Sequence, residues 1–171
     1  MRFFTERVYG VPPEQVIGSS FQTRYELRDG RPVTVRLPAV DFVDDEAGKP
    51  VGIHKFVGHR PLLAFGNSDG DFEMLEWTTS GPGPRLSLLL HHDDGEREVA
   101  YDRASLFGKL ARGLDEAPER GWILVGMKRD WKRVFPGDGP AGTSTSTAQA
   151  LARVQAPSPP RSSAPSTTAR P

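Results

Sequence analysis

Hydrophobic residues follow two patterns along this chain. Between Arg24 and Leu37 they alternate with polar ones. Tyr25 and Leu27 stand among Arg24, Glu26 and Arg28, and Val33, Val35 and Leu37 stand around Thr34 and Arg36. A period of two predicts half-buried strands. Asp29-Gly30, between the two runs, is the preferred chemistry of a tight hairpin turn. The reading is an antiparallel ribbon with one apolar face. Elsewhere the apolar residues come in short unbroken runs. Gln15–Ser20 and Trp122–Val125 read as strands. Pro61–Phe65 and Arg85–Leu90 read as strands buried in a parallel sheet.

Helical stretches separate these runs. Phe3–Tyr9 reads as the end of a helix closed by Gly10, and Pro12-Pro13 forbids its continuation. Asp41–Gly48 is an acidic loop. Lys49–Ile53 opens a short helix with Pro50 at its first position. Phe72–Trp77 is helical. Leu106, Phe107, Leu110, Leu114 and Ala117 recur at three- and four-residue spacings and predict an amphipathic helix ended by Gly121. Helix and strand in alternation predict an α/β fold, a parallel sheet with flanking helices and right-handed crossovers. No internal repeat is present.

Composition then divides the chain. Of the 35 residues 137–171, 27 are Ala, Gly, Pro, Ser or Thr, and only Leu151 and Val154 are large aliphatics. Such a segment buries too little apolar surface to offset its ordering entropy and reads as disordered, with at most a marginal helix over Ala148–Val154. The foldable unit is residues 1–136. The whole chain has 22 basic and 22 acidic residues, but the tail takes three basic and one acidic of them. The body is therefore left at 19 − 21 = −2. That balance gives no support to a nucleic-acid or anionic-membrane partner held by bulk charge. The absence of Cys excludes a disulfide scaffold, a thiolate metal site and a Cys nucleophile. No apolar run approaches a membrane span or a signal peptide, so the sequence as written reads as cytoplasmic. Any export signal would lie upstream of Met1.

In open parallel sheets, ligands bind beyond the carboxyl ends of the strands. One predicted strand end is rich in hard oxygen donors. The turn Gly66–Asp71 carries Asn67, Ser68, Asp69 and Asp71, a set suited to Mg²⁺. The following helix start adds backbone N–H groups and a positive dipole end. A plainer alternative is that Asp69 and Asp71 only cap that helix. A calcium loop is excluded, because Phe72 stands where the loop requires Gly. Lys49, 18 residues before Asn67, could bring an ammonium over the same strand ends, or could be an ordinary surface lysine. Adjacent strand residues point to opposite faces, so His91 and His92 are poor joint ligands; His54 and His59 have no ligand spacing with them. Trp77, Trp122 and Trp131 lie near apolar positions and read as packing.

Lys49-Pro50 at a helix start, then a strand, then Gly66-Asn67-Ser68-Asp69-Gly70-Asp71-Phe72-Glu73-Met74-Leu75, resembles the third and fourth motifs of the haloacid dehalogenase superfamily. More narrowly the chain resembles its phosphoserine-phosphatase-like bacterial hydrolases. Glu6–Gly18, His91–Glu98 and Lys128–Arg133 share the likeness, which covers roughly residues 3–136. The resemblance implies a Rossmann-like sheet and Mg²⁺-dependent phosphoryl transfer from a small phosphate monoester. It implies that Lys49 stabilises the nucleophile and the phosphoryl charge. Asp71 would hold Mg²⁺ directly or through water, and Asn67 would stand as a neutral ligand in place of the family's first acid. An amide there lowers the charge around the metal, so weaker Mg²⁺ binding is the expected direction.

The family's Asp-x-Asp-Gly-Thr nucleophile motif does not occur in the 171 residues, nor does its second, Ser or Thr motif. Asp44-Asp45 and Asp93-Asp94 do not lead from an apolar strand into a Gly-Thr turn. The expectation is a chain that begins inside the family pattern, lacks the first, central strand, and is inactive or impaired alone. Three functions follow. The chain is a portion of a longer phosphatase, a non-catalytic relic that binds phosphate or Mg²⁺, or an interaction module working through its tail. Substrate identity and oligomeric state are not legible.

Overall fold

The computed structural model describes residues 2–135. The tail, including Ala148–Val154, lies outside the described residues. In chain order the elements are α1 (Arg2–Tyr9), β1 (Ser20–Arg28), β2 (Arg31–Phe42), α2 (Gly48–Val57), β3 (Leu63–Gly66), α3 (Phe72–Thr79), β4 (Leu86–His91), α4 (Arg112–Glu116), β5 (Ile123–Gly126) and α5 (Met127–Asp130). β1 and β2 form an antiparallel hairpin, and β3, β4 and β5 form a parallel sheet in that order. The α/β class and the hairpin predicted from the sequence are present.

Local chemistry explains several boundaries. Gly10 closes α1 at φ +67°, with its N–H bonded to the Glu6 carbonyl. Asp29 and Gly30 both adopt positive φ, 52° and 74°, as a two-residue hairpin turn requires. Gly58 ends α2 in the left-handed region at φ 81°.

Four expectations need correction. Val16 and Ile17 form no strand. A 3₁₀ turn at Pro13–Gln15 leads into an irregular connection, where the Val16 carbonyl accepts from the Arg2 guanidinium and Ile17 packs beside Gly52. Nor has the ribbon a single apolar face. Its register places Tyr25 opposite Thr34 and Leu27 opposite Pro32, but Val33 opposite Glu26 and Val35 opposite Arg24. Directly opposed residues share a face, so Tyr25 and Leu27 lie on the face opposite to Val33 and Val35. β3 is not buried on both faces: Ala64 is buried, while Leu63 and Phe65 are exposed. The amphipathic helix shrinks to α4. Gly108 at φ +65° breaks the periodic segment ahead of it, and Leu106 and Phe107 are exposed.

The core lies on one face of the sheet. Ala64, Ser87 and Leu89 point toward α3, which buries Phe72, Leu75 and Thr78. Phe72 meets Trp122 edge-on at 4.9 Å, and the Ser87 hydroxyl donates to the Leu75 carbonyl. On the other face, Phe65, Leu88, Leu90 and Val125 floor an apolar cavity of about 550 Å³ with Asn67 and Trp131 at its rim. Among the described residues β3 pairs only with β4, so its other edge is free.

One clamp ties the loop after β4 to the chain after β5. Buried Asp94 accepts from the Arg97 guanidinium and from the backbone N–H groups of Glu96 and Arg97. Arg97 in turn donates to the carbonyls of Met127 (2.7 Å) and Trp131 (2.8 Å). Chiefly the Arg97 hydrogen bond holds the Asp94 carboxyl below the usual carboxylate range. A folded-state value below the unfolded one contributes stability above the unfolded pKa, and that stability is lost as pH falls through the folded value. Stability is therefore expected to decline from roughly pH 5 downward, and less steeply in Asp94→Asn. Urea unfolding across that range checks this; equal slopes for the two proteins would refute it.

Candidate functional site

The site is built at the carboxyl end of β3. Gly66 is the last strand residue, and Asn67 and Ser68 lead into a 3₁₀ turn at Asp69–Asp71 that runs into α3. Asp71 folds back across this turn. Its Oδ2 accepts from the N–H of Asn67 (2.8 Å), the N–H of Ser68 (3.2 Å) and the Ser68 hydroxyl (3.3 Å). That fold needs a glycine at 66, because a Cβ there would lie 2.4 Å from the Asp71 Cβ.

Lys49 reaches the turn from the first residues of α2. Its Nζ donates to Asp71 Oδ1 at 2.5 Å, across 22 residues of sequence. The Asp71 side chain is 8 % exposed and the Lys49 side chain 26 %. Two of the predicted site residues are therefore in contact, with the Lys49 side chain partly open to solvent.

The four candidate residues divide. Lys49, Asn67 and Asp71 come together. Asp69 turns away and caps α4: its carboxylate accepts from the N–H groups of Ala111 (3.0 Å), Arg112 (3.2 Å) and Gly113 (2.9 Å). The capping alternative describes Asp71 in part, since it accepts from the Ser68 N–H in a capping box at the start of the turn, whereas Asp69 caps another helix, whose first N–H donor lies 42 residues downstream. The histidines have separate partners: His91 lies 3.5 Å from Asp102, and His92 lies 2.9 Å from Glu98.

Two residues lie at the site that the sequence reading set aside, in the case of Asp45, or passed over, in the case of Tyr101. Asp45, on the loop after β2, lies against the turn, with its Oδ1 2.5 Å from where a Gly70 Cβ would stand. The neighbouring Glu46 N–H donates to the Gly70 carbonyl. Tyr101 accepts a hydrogen bond from Asn67 Nδ2 at 2.8 Å. An acidic loop gave a weak hint of the first. Nothing local marks the second, which is 34 residues away.

The oxygen donors of the turn are hard in type, the kind that Mg²⁺ takes. Asn67 Oδ1 has no hydrogen-bond partner among the described residues, and Asp71 Oδ1 carries only Lys49. No group of three or more His, Cys, Asp or Glu is gathered for a metal among the described residues. A cation here would keep water ligands, as Mg²⁺ does when one or two carboxylates hold it beside a phosphate. No protein-family model matches the chain, and no curated protein matches it. Among the described residues no helix is long and apolar enough to cross a membrane.

Proposed function

We propose that this chain is the C-terminal portion of a Mg²⁺-dependent phosphohydrolase of the haloacid dehalogenase type, acting on a small phosphate monoester and impaired as these 171 residues. The Lys49–Asp71 contact at the carboxyl end of a parallel strand carries this reading. It joins two residues to which the family likeness gives separate roles, and Asp71 Oδ2 accepts from the Asn67 backbone N–H beside it. Asp71 positions the Lys49 ammonium, and the ammonium offsets charge on a phosphoryl group bound beyond the strand ends. Asn67 and Asp71 would hold the cation. When bound, Mg²⁺ supplies further charge neutralisation at the phosphoryl oxygens.

The impaired state follows from the missing nucleophile motif. The free edge of β3 and the exposed Leu63 and Phe65 support it, because the proposed fold places a central strand beside such an edge. A second reading, a phosphate- or Mg²⁺-binding relic without turnover, is favoured by the same missing motif. Upstream DNA separates the two. An in-frame Asp-x-Asp-Gly-Thr favours the portion of a longer enzyme, and a stop or frameshift favours the relic.

The direct test uses the purified chain with p-nitrophenyl phosphate and Mg²⁺. No hydrolysis above background is expected. Robust Mg²⁺-dependent hydrolysis that Asp71→Ala abolishes would remove the claim of impairment and leave the site assignment standing.

A further inference from the structure

The β1–β2 ribbon has two free edges. Among the described residues β1 pairs only with β2, and β2 only with β1. Two strands alone are marginal in water, and a third strand or a packed face is needed for independent stability. The two edges are not equivalent. β2 carries Pro32 and Pro38, and a proline has no N–H to offer a further strand. β1 carries no proline, and its Tyr25 and Leu27 side chains are exposed.

The turn determines which backbone groups of β1 face outward. Positive φ at both Asp29 and Gly30 is type I′ geometry, which makes Arg28 and Arg31 a hydrogen-bonded pair. Bonding alternates along an antiparallel ladder, so Glu26 and Arg24 also turn their backbone groups to β2. Thr23, Tyr25 and Leu27 turn theirs to the open edge. Pro32 agrees with this alternation, because it lies opposite Leu27, where β2 needs no N–H for β1.

A second β1 fits this edge in one register. With a two-fold axis at Tyr25, antiparallel strands set Tyr25 against the partner's Tyr25 and Thr23 against the partner's Leu27. All three outward residues are then bonded, between the bulge near Phe21 and the turn at Asp29. Arg24 falls opposite the partner's Glu26, once on each side of the axis. These are the non-hydrogen-bonded positions, where opposed side chains come closest. An axis at Arg24 or at Glu26 would instead oppose like charges. An axis at Thr23 runs into the bulge, and one at Leu27 runs into the turn. Within one chain Glu26 already holds Arg24 and Arg28 on the same face, so the charged row is ordered before a partner arrives.

We propose that β1 is a self-pairing edge: two copies of this chain join antiparallel β1 strands about a two-fold axis at Tyr25, forming a four-stranded sheet with Arg24 facing the partner's Glu26. The inference stands on the hairpin alone and does not depend on the phosphohydrolase reading. A seam one strand long gives a weak, concentration-dependent dimer.

Sedimentation equilibrium of the full chain over a concentration series is expected to show reversible dimers. Arg24→Glu and Glu26→Arg each oppose like charges at two places in the seam. Each should raise the dissociation constant at least about tenfold. An equimolar mixture of the two variants opposes unlike charges again, so mixed dimers should return near the parental constant. A parent that stays monomeric overturns the proposal. So do single variants that keep the parental constant, which would place the contact on another surface, or a mixture that stays monomeric. Hydrogen exchange of the parent gives a readout that needs no variant to fold. Protection of the Thr23, Tyr25 and Leu27 amides should rise with concentration, whereas the Arg24 and Glu26 amides, already turned to β2, should change little. Unchanged protection at Tyr25 in a dimeric sample overturns the proposal as well.

Discussion

Replacing Lys49 with Met is expected to lower unfolding stability by about 3 kcal/mol, the lower end for breaking a buried ion pair. Asp71 would keep its charge at 8 % exposure with no cation beside it. The loss stays at the lower end for two reasons. Oδ2 retains its three donors from Asn67 and Ser68, and the pair is only partly buried, with the Lys49 side chain 26 % exposed. Adding Asp71→Asn to Lys49→Met should restore about 1–2 kcal/mol, because a neutral amide needs no counter-charge. Denaturant unfolding of both single variants and the double variant gives the coupling directly. Strictly additive losses would mean that the contact does not hold the turn.

The second large effect lies in the core. Phe72 is 1 % exposed and meets Trp122 at 4.9 Å, with the guanidinium groups of Arg112 and Arg120 over its ring at 3.5 and 4.7 Å. Phe72→Ala combines a buried cavity with the loss of an aromatic pair, so about 4 kcal/mol is expected. Phe65→Ala is the matched control. Phe65 is 61 % exposed on the uncovered face of the same sheet, and its truncation should change stability by less than about 0.5 kcal/mol. Thermal or urea unfolding distinguishes the two, and a comparable cost at Phe65 would show that this sheet face is covered in solution.

Local chemistry made much of the fold legible. The Asp29-Gly30 turn, the Gly10 stop and the alternation of helix and strand follow from backbone preference and hydrophobic period. The failures have definite physical causes. A two-residue loop at 29–30 pairs residues whose numbers sum to 59, as in Tyr25 with Thr34. An odd residue then always faces an even one, so Tyr25 and Val35 cannot share a face. That parity was present in the sequence, but the alternation of each strand was read separately. Pro61–Phe65 looked buried because an apolar run does not record how many sheet faces are covered. Residues 106–117 had helical spacing, yet Gly108 and the packing of Tyr101 beneath it override that spacing.

At the site, Lys49, Asn67 and Asp71 were legible as chemistry, and their convergence followed only from the family likeness. Asp69 shows the limit of local reasoning. An acid two residues before a second acid in a turn looks like a ligand or a cap for the next helix. Here tertiary structure brings the N-terminus of α4 to it instead. Tyr101 carries no local signal, because its contact with Asn67 spans 34 residues of sequence.

The free edge of β3 also bears on how the protein fares in a cell. Among the described residues nothing pairs with this edge, and its strand groups beside Leu63 and Phe65 form a template on which other strands can add. Chaperones and proteases act on such surfaces soon after synthesis. Cellular abundance would then depend on how quickly another polypeptide covers that edge, and less on the equilibrium stability of the core behind it.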